Sequence, residues 1–171
     1  TMIYDGNGRP FSSLDSYNVV ISRPPAFTGA TANTRGDDAG TNDPYTLFTV
    51  TGDVLVRIWG VCTETLTNAT ATVSVGVAGN TAGLIALETA TEIVTNGIYA
   101  SATQVTGVVA LSSVTGPFVI ANGLDINEYV ATADVTGGNI YYICLWRPVS
   151  VGKDAAGLDI AGNVTAAGTQ I

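Results

Sequence analysis

The side chains here that could do chemistry are carboxylates, two thiols and a few arginines, because the 171-residue chain has no histidine. A histidine general base, a Ser-His-Asp triad and a His-based zinc site are therefore excluded. The densest polar group is GDDAGTNDP, where Asp37, Asp38, Asn42 and Asp43 stand among glycines. Oxygen-rich loops of this kind can hold Ca²⁺. The spacing is not that of an EF-hand loop, so a solvated turn is expected and no metal is assigned. Arg35-Gly36-Asp37 spells an integrin-recognition tripeptide. Three residues carry little specificity, and the expected role of Arg35 is local pairing with the acids that follow it. Asp125 and Glu128 flank Asn127, and paired carboxylates can hydrolyse glycosides. Nothing fixes their separation, and a solvated loop is the expectation. Gly76, Gly79 and Gly83 depart from the dinucleotide fingerprint and have no basic residue beside them. Asn68-Ala69-Thr70 and Asn163-Val164-Thr165 match the glycosylation acceptor pattern, a coincidence to be expected where Thr is abundant. No catalytic residue, cofactor or metal is assigned, and the chain is expected not to be an enzyme.

Cys62 and Cys144 lie inside the apolar runs VRIWGVC and IYYICLW. Two buried, reduced thiols are expected, with a disulfide between core strands as the alternative. Charged residues are only 12% and hydrophobic ones 46%, enough to bury a core. Six Lys and Arg against fourteen Asp and Glu give a net charge of −8. Such a surface has no field for phosphate backbones, so no nucleic-acid partner is expected. No apolar run is long enough to span a bilayer as a helix, and no membrane partner is expected. The first residues lack a basic-then-apolar leader, and Thr1 is of the small kind left when an initiator Met is trimmed. Synthesis in a cytoplasm is the expectation.

The elements that would position these residues read as strands. In VTGDVLVRIWGVC, Val50, Val54, Val56, Ile58 and Cys62 share one face; Thr51, Asp53 and Arg57 share the other with Leu55, Trp59 and Val61. In ATATVSVGVAG, Ala71, Val73, Val75 and Val77 alternate with Thr70, Thr72, Ser74 and Gly76, which predicts a strand with one wet face. Further strands are predicted over Ile98–Ala102, Gln104–Leu111, Pro117–Ala121, Glu128–Asp134 and Asn139–Trp146, the last two as a hairpin. Thr81–Val94 is predicted to be a loop or short helix. Many short strands with regular turn signals give an all-β fold, an antiparallel, jelly-roll-like β-sandwich.

The sandwich is expected over 47–150, between an extended N-terminal arm (1–46) and a C-terminal arm or edge strand (151–171). Residues 1–46 hold four of the six prolines, yet also many apolar side chains that a free linker would not carry. Tyr4, Phe11, Tyr17 and Phe27 are the candidate partner-interface residues, buried on their own domain or on a neighbouring subunit.

TRGDDAGTNDPYTLFTVTGDVLVRIWGVCTETLTNATATVSVGVAGNTAGLI (34–85) resembles a group of tailed-bacteriophage virion proteins, and YYICLWRPVS (141–150) is similar to their final strand. The resemblance implies a non-enzymatic virion component such as a capsid decoration, or cement, protein or another head or tail accessory protein. Its expected place is the virion. The expected partners are the major capsid or another virion protein and further copies of itself, with a trimer favoured. A carbohydrate-binding or adhesive module is the alternative, with Trp59 and Trp146 as its candidate contacts.

Overall fold

The computed structural model describes residues 17–38, 44–101, 103–149, 151–153 and 159–168. Its strands are β1 (Asn18–Ser22), β2 (Tyr45–Thr51), β3 (Val54–Glu64), β4 (Thr72–Val77), β5 (Asn80–Thr89), β6 (Gly97–Tyr99), β7 (Val105–Thr106) and β8 (Phe118–Ile120). They continue with β9 (Ile126–Ala131), β10 (Asn139–Pro148), β11 (Val151–Lys153), β12 (Asp159–Ala161) and β13 (Asn163–Ala166). Two antiparallel sheets pack face to face as a β-sandwich. One runs β1-β10-β3-β6-β7, with β8 also on β3; the other runs β13-β2-β9-β4-β5. β11 and β12 form a separate ribbon.

The core is built by alternation. Val54, Val56, Ile58 and Cys62 of β3 and Ile140, Tyr142 and Cys144 of β10 point inward from the first sheet. Val73 and Val75 of β4 and Ile126 and Val130 of β9 meet them from the second. The Tyr99 hydroxyl reaches across the layers with its one proton between two acceptors, the carbonyls of Val73 (2.7 Å) and Ala86 (3.0 Å). A buried phenol needs such a partner.

Several expectations change. VTGDVLVRIWGVC is two strands, because Gly52 at φ +63 turns the chain from β2 in one sheet to β3 in the other. The predicted hairpin is not one either. β9 pairs with β2 and β4, whereas β10 pairs with β1 and β3, so residues between them cross from sheet to sheet. Alternation fixes which face a strand buries but not which neighbour it pairs with.

Thr81–Val94, predicted to be a loop or short helix, is mostly strand β5, followed by a single 3₁₀ turn at Ala90–Glu92. The register of β5 on β4 slips twice, from Glu88 on Val73 to Ile85 on Val75 to Asn80 on Val77. These bulges hid its period and bend its first half across the outer side of β4. Ser74 and Gly76 are consequently buried instead of wet; Ser74 Oγ donates to the Thr81 carbonyl at 3.0 Å.

The sandwich also takes in sequence on both sides of 47–150. β1 is the edge strand on β10, with Val20 against the core, and β13 is the edge strand on β2, with Val164 buried.

Candidate functional site

Arg35 is the hub of the largest buried polar network among the described residues. Its side chain and that of Glu128, on the inward face of β9, are 1% and 0% exposed. Nε and Nη2 donate to the two carboxylate oxygens at 2.8 and 2.7 Å, a bidentate fork. Nη1 donates to the Pro25 carbonyl (2.7 Å) and Asn139 Oδ1 (3.1 Å), and Nη2 also donates to the Ile140 carbonyl at 3.3 Å. The guanidinium lies 3.8 Å from the Phe27 ring centroid and 5.7 Å from that of Tyr45. Tyr142 completes the group, donating to Glu128 Oε2 at 2.6 Å.

Burial opposes the charge on Arg35, but the Glu128 carboxylate outweighs it and raises the guanidinium above its ordinary range. Burial beside the same carboxylate pushes the Tyr142 phenol far up, so it stays a protonated donor. The two charges of the network are closed off from solvent. It is a rivet. Arg35 binds the Pro25–Arg35 segment to both sheets at once.

This corrects two sequence readings, the local pairing of Arg35 and the solvated loop at Glu128. Arg35 pairs with Glu128, 93 residues away, and not with the acids beside it. Arg35 and Asp37 are 3% and 8% exposed, so the Arg-Gly-Asp tripeptide is turned into the protein. Glu128 is a core residue, while Asp125 caps the neighbouring strand by accepting from the Val50 N–H at 2.9 Å, so the two acids do not form a reacting pair.

The acids after Arg35 do gather, but with Asp134 from the crossover between the sheets. Carboxylate oxygens of Asp37, Asp38 and Asp134 lie within 4.8 Å of one another. The Asn33 N–H donates to Asp37 Oδ2 (2.7 Å) and the Asp38 N–H to Asp134 Oδ1 (3.0 Å). The Asp38 carboxyl is raised, first by its hydrogen bond with Asp134 and then by burial and neighbouring negative charge. Asn42 and Asp43 lie outside the described residues.

Of the four predicted interface residues, Tyr4 and Phe11 lie outside the described residues. Phe27, 1% exposed, belongs to the chain's own core, where it is held under Arg35. Tyr17 is half-buried at the start of β1, with the Arg147 guanidinium 5.4 Å from its ring centroid. Cys62 and Cys144 are free and buried, opposite Ile140 and Ile58 in the β3–β10 register, four residues apart along neighbouring strands and out of bonding range. Burial raises their thiols to about 11 and about 12.

A second candidate surface is the outward face of the first sheet, to which the alternation of β3 already assigned Leu55, Trp59 and Val61. Register places Val19 and Ile21 of β1 beside Leu145 and Ile143 of β10, and these beside Arg57 and Trp59 of β3. Tyr141 and Arg147 extend the face along β10, and Val119 of β8 stands next to Leu55. Arg57 anchors the loop over one part of it, donating through Nη1 to the Leu111 carbonyl at 2.9 Å. The outward positions of these strands carry arginine but no Asp or Glu, in a chain of net charge −8. Apolar, aromatic and arginine side chains without carboxylates are the composition of the centre of a protein–protein interface. Trp146 points the other way, against the core, so the two tryptophans form no common platform.

No protein-family model, curated protein or solved structure matches this chain.

Proposed function

We propose that the protein is a non-enzymatic structural component that works by binding other protein surfaces, and specifically a capsid decoration or related accessory protein of a tailed-phage virion. The observation that supports a binding role is the outward face of the first sheet, where Val19 and Val119 are more than 60% exposed on an acid-free, arginine-bearing surface. Leu145 between them is buried and the chain's own loop lies over Arg57, so the exposed apolar parts are the two margins, around Val19 and Ile21 and around Val119; grouped exposed apolar side chains of this kind mark interaction sites. The virion setting is supported by the resemblance of residues 34–85 and 141–150 to phage virion proteins.

A sandwich riveted by a buried Arg–Glu pair suits this work, since a rigid body presents a surface at little entropic cost on binding. The acidic remainder of the molecule keeps it soluble and repels packaged DNA.

Mass spectrometry of purified virions from the source of the sequence tests the setting. The chain should appear as an abundant component alongside the major capsid protein. Its absence from intact particles, in cells that express it, would remove the virion reading. A Val19→Asp/Val119→Asp variant that still folds should lose particle binding; undiminished binding would remove the face from the account.

A further inference from the structure

Among the described residues, the first sheet ends at β1 on one side and at β6–β7 on the other, and the second ends at β13 and β5. β1 touches β13, and β3 touches β5, so β1 and β13 share one side of the sandwich while β5 and β7 share the opposite one. These two edges are unlike. β1 exposes Val19 and Ile21 and is bracketed by Arg147 at its start and Arg23 at its end, each laid over a tyrosine ring (Tyr17 and Tyr141, at 5.4 and 5.5 Å). The opposite edge exposes Leu87 and Val94 around a hollow of about 330 Å³ that Glu88 and Glu92 line together with Thr103 and Thr106. Glu88 is held in place there by the Thr89 N–H, which donates to its Oε1 at 2.8 Å.

We propose that copies of this chain associate head to tail, the β1 edge of one sandwich seating against the β5–β7 edge of the next, with the arginines that bracket β1 facing the Glu88–Glu92 hollow. Both edges offer apolar side chains, so each possible pairing buries apolar surface, and charge decides between them. β1 against β1 sets arginine against arginine; β5 against β5 sets glutamate against glutamate. Only unlike edges match in both respects, and like-charge juxtaposition suppresses the wrong pairings. A contact between unlike edges is heterologous, so it makes a ring where the rotation closes and a filament where it does not. The association rests on reading the protein as an assembly component, but it needs no particle and can fail or succeed without one.

Sedimentation velocity over a concentration series tests it with two charge-reversed proteins, Arg23→Glu/Arg147→Glu and Glu88→Lys/Glu92→Lys, each checked for native circular dichroism. The wild-type chain should oligomerise, more weakly as salt rises. Each variant alone should associate at least about 100-fold more weakly. Mixed in equal amounts they should associate again, since the now acidic β1 edge of one fits the now basic hollow of the other. Should either pair of substitutions disturb folding, Glu92→Lys alone, at an exposed position, should still weaken association. A wild-type monomer at all concentrations overturns the proposal. So does an oligomer that Glu88→Lys/Glu92→Lys leaves intact, which would mark a β1–β1 contact, or a mixture that stays monomeric. Particle binding by a strict monomer would overturn this association and leave the binding role standing.

Discussion

Substituting Glu128 by Gln keeps the volume of the side chain and removes its charge. Arg35 would then lie 1% exposed without its counter-ion, and the Tyr142 hydroxyl would lose its carboxylate acceptor. Leaving one member of a buried ion pair uncompensated costs about 3–5 kcal/mol. In a chain of this length each kcal/mol lowers Tm by about 2–4 °C, so a fall of roughly 6–20 °C is expected. Urea unfolding should report the same loss as a lower midpoint at unchanged slope. Arg35→Met with Glu128→Leu removes both charges, yet it still strands the carbonyls of Pro25 and Ile140 and the Asn139 Oδ1 that Arg35 serves. The double variant should therefore remain below wild type while being less damaged than the two single losses summed, with a coupling of about 2 kcal/mol or more. Single losses below about 1 kcal/mol, or additivity to within about 0.5 kcal/mol, would refute the view that this pair rivets residues 25–35 to the sandwich.

Gly36→Ala should cost about 2–3 kcal/mol, because the residue sits at φ +102 and a Cβ would run into the Val135 carbonyl oxygen; a melting curve matching wild type would contradict this. The Asp38 carboxyl is raised from its ordinary 3.8, so the folded state holds a proton that the unfolded state has released. That contribution is complete below pH 3.8 and is lost as pH rises through the higher folded value. Asp38→Asn should therefore gain on wild type in stability across that interval and keep its gain at neutral pH; parallel stability–pH curves would speak against the carboxylate cluster. Cys62 and Cys144, buried and raised to about 11 and about 12, should resist a thiol reagent at pH 8 in native protein and both react in denaturant; prompt labelling of either without denaturant would contradict their burial.

The sequence carries the fold class plainly. Val54, Val56 and Ile58 alternate as a half-buried strand must, and Val73 and Val75 point inward as the pattern says although β5 covers the other side of β4 as well. Pairing was beyond it, since Tyr129 and Tyr141 stand in similar alternating runs yet belong to different sheets. The period of β5 was hidden by two register slips that displace Leu84 and Ile85 from strict alternation. The rivet was out of reach for another reason. Arg35 and Glu128 are both charged in polar surroundings, and no local signal says that chain crossings 93 residues apart will bury them together. The outward face is legible in part, from Leu55, Trp59 and Val61 on the polar side of β3 and from apolar residues at both parities of β10; its lack of carboxylates needed the register.

The outward face of the first sheet is the proposed working surface of this protein. Hydrogen exchange, compared residue by residue between free protein and protein bound to virions or to the major capsid protein proposed as its partner, reads that face out. The account predicts new protection concentrated in β1, β8 and the outward-facing stretches of β3 and β10, with the second sheet unchanged apart from β5. Protection confined to β2, β9 and β13, or none on a particle that demonstrably carries the protein, would contradict it.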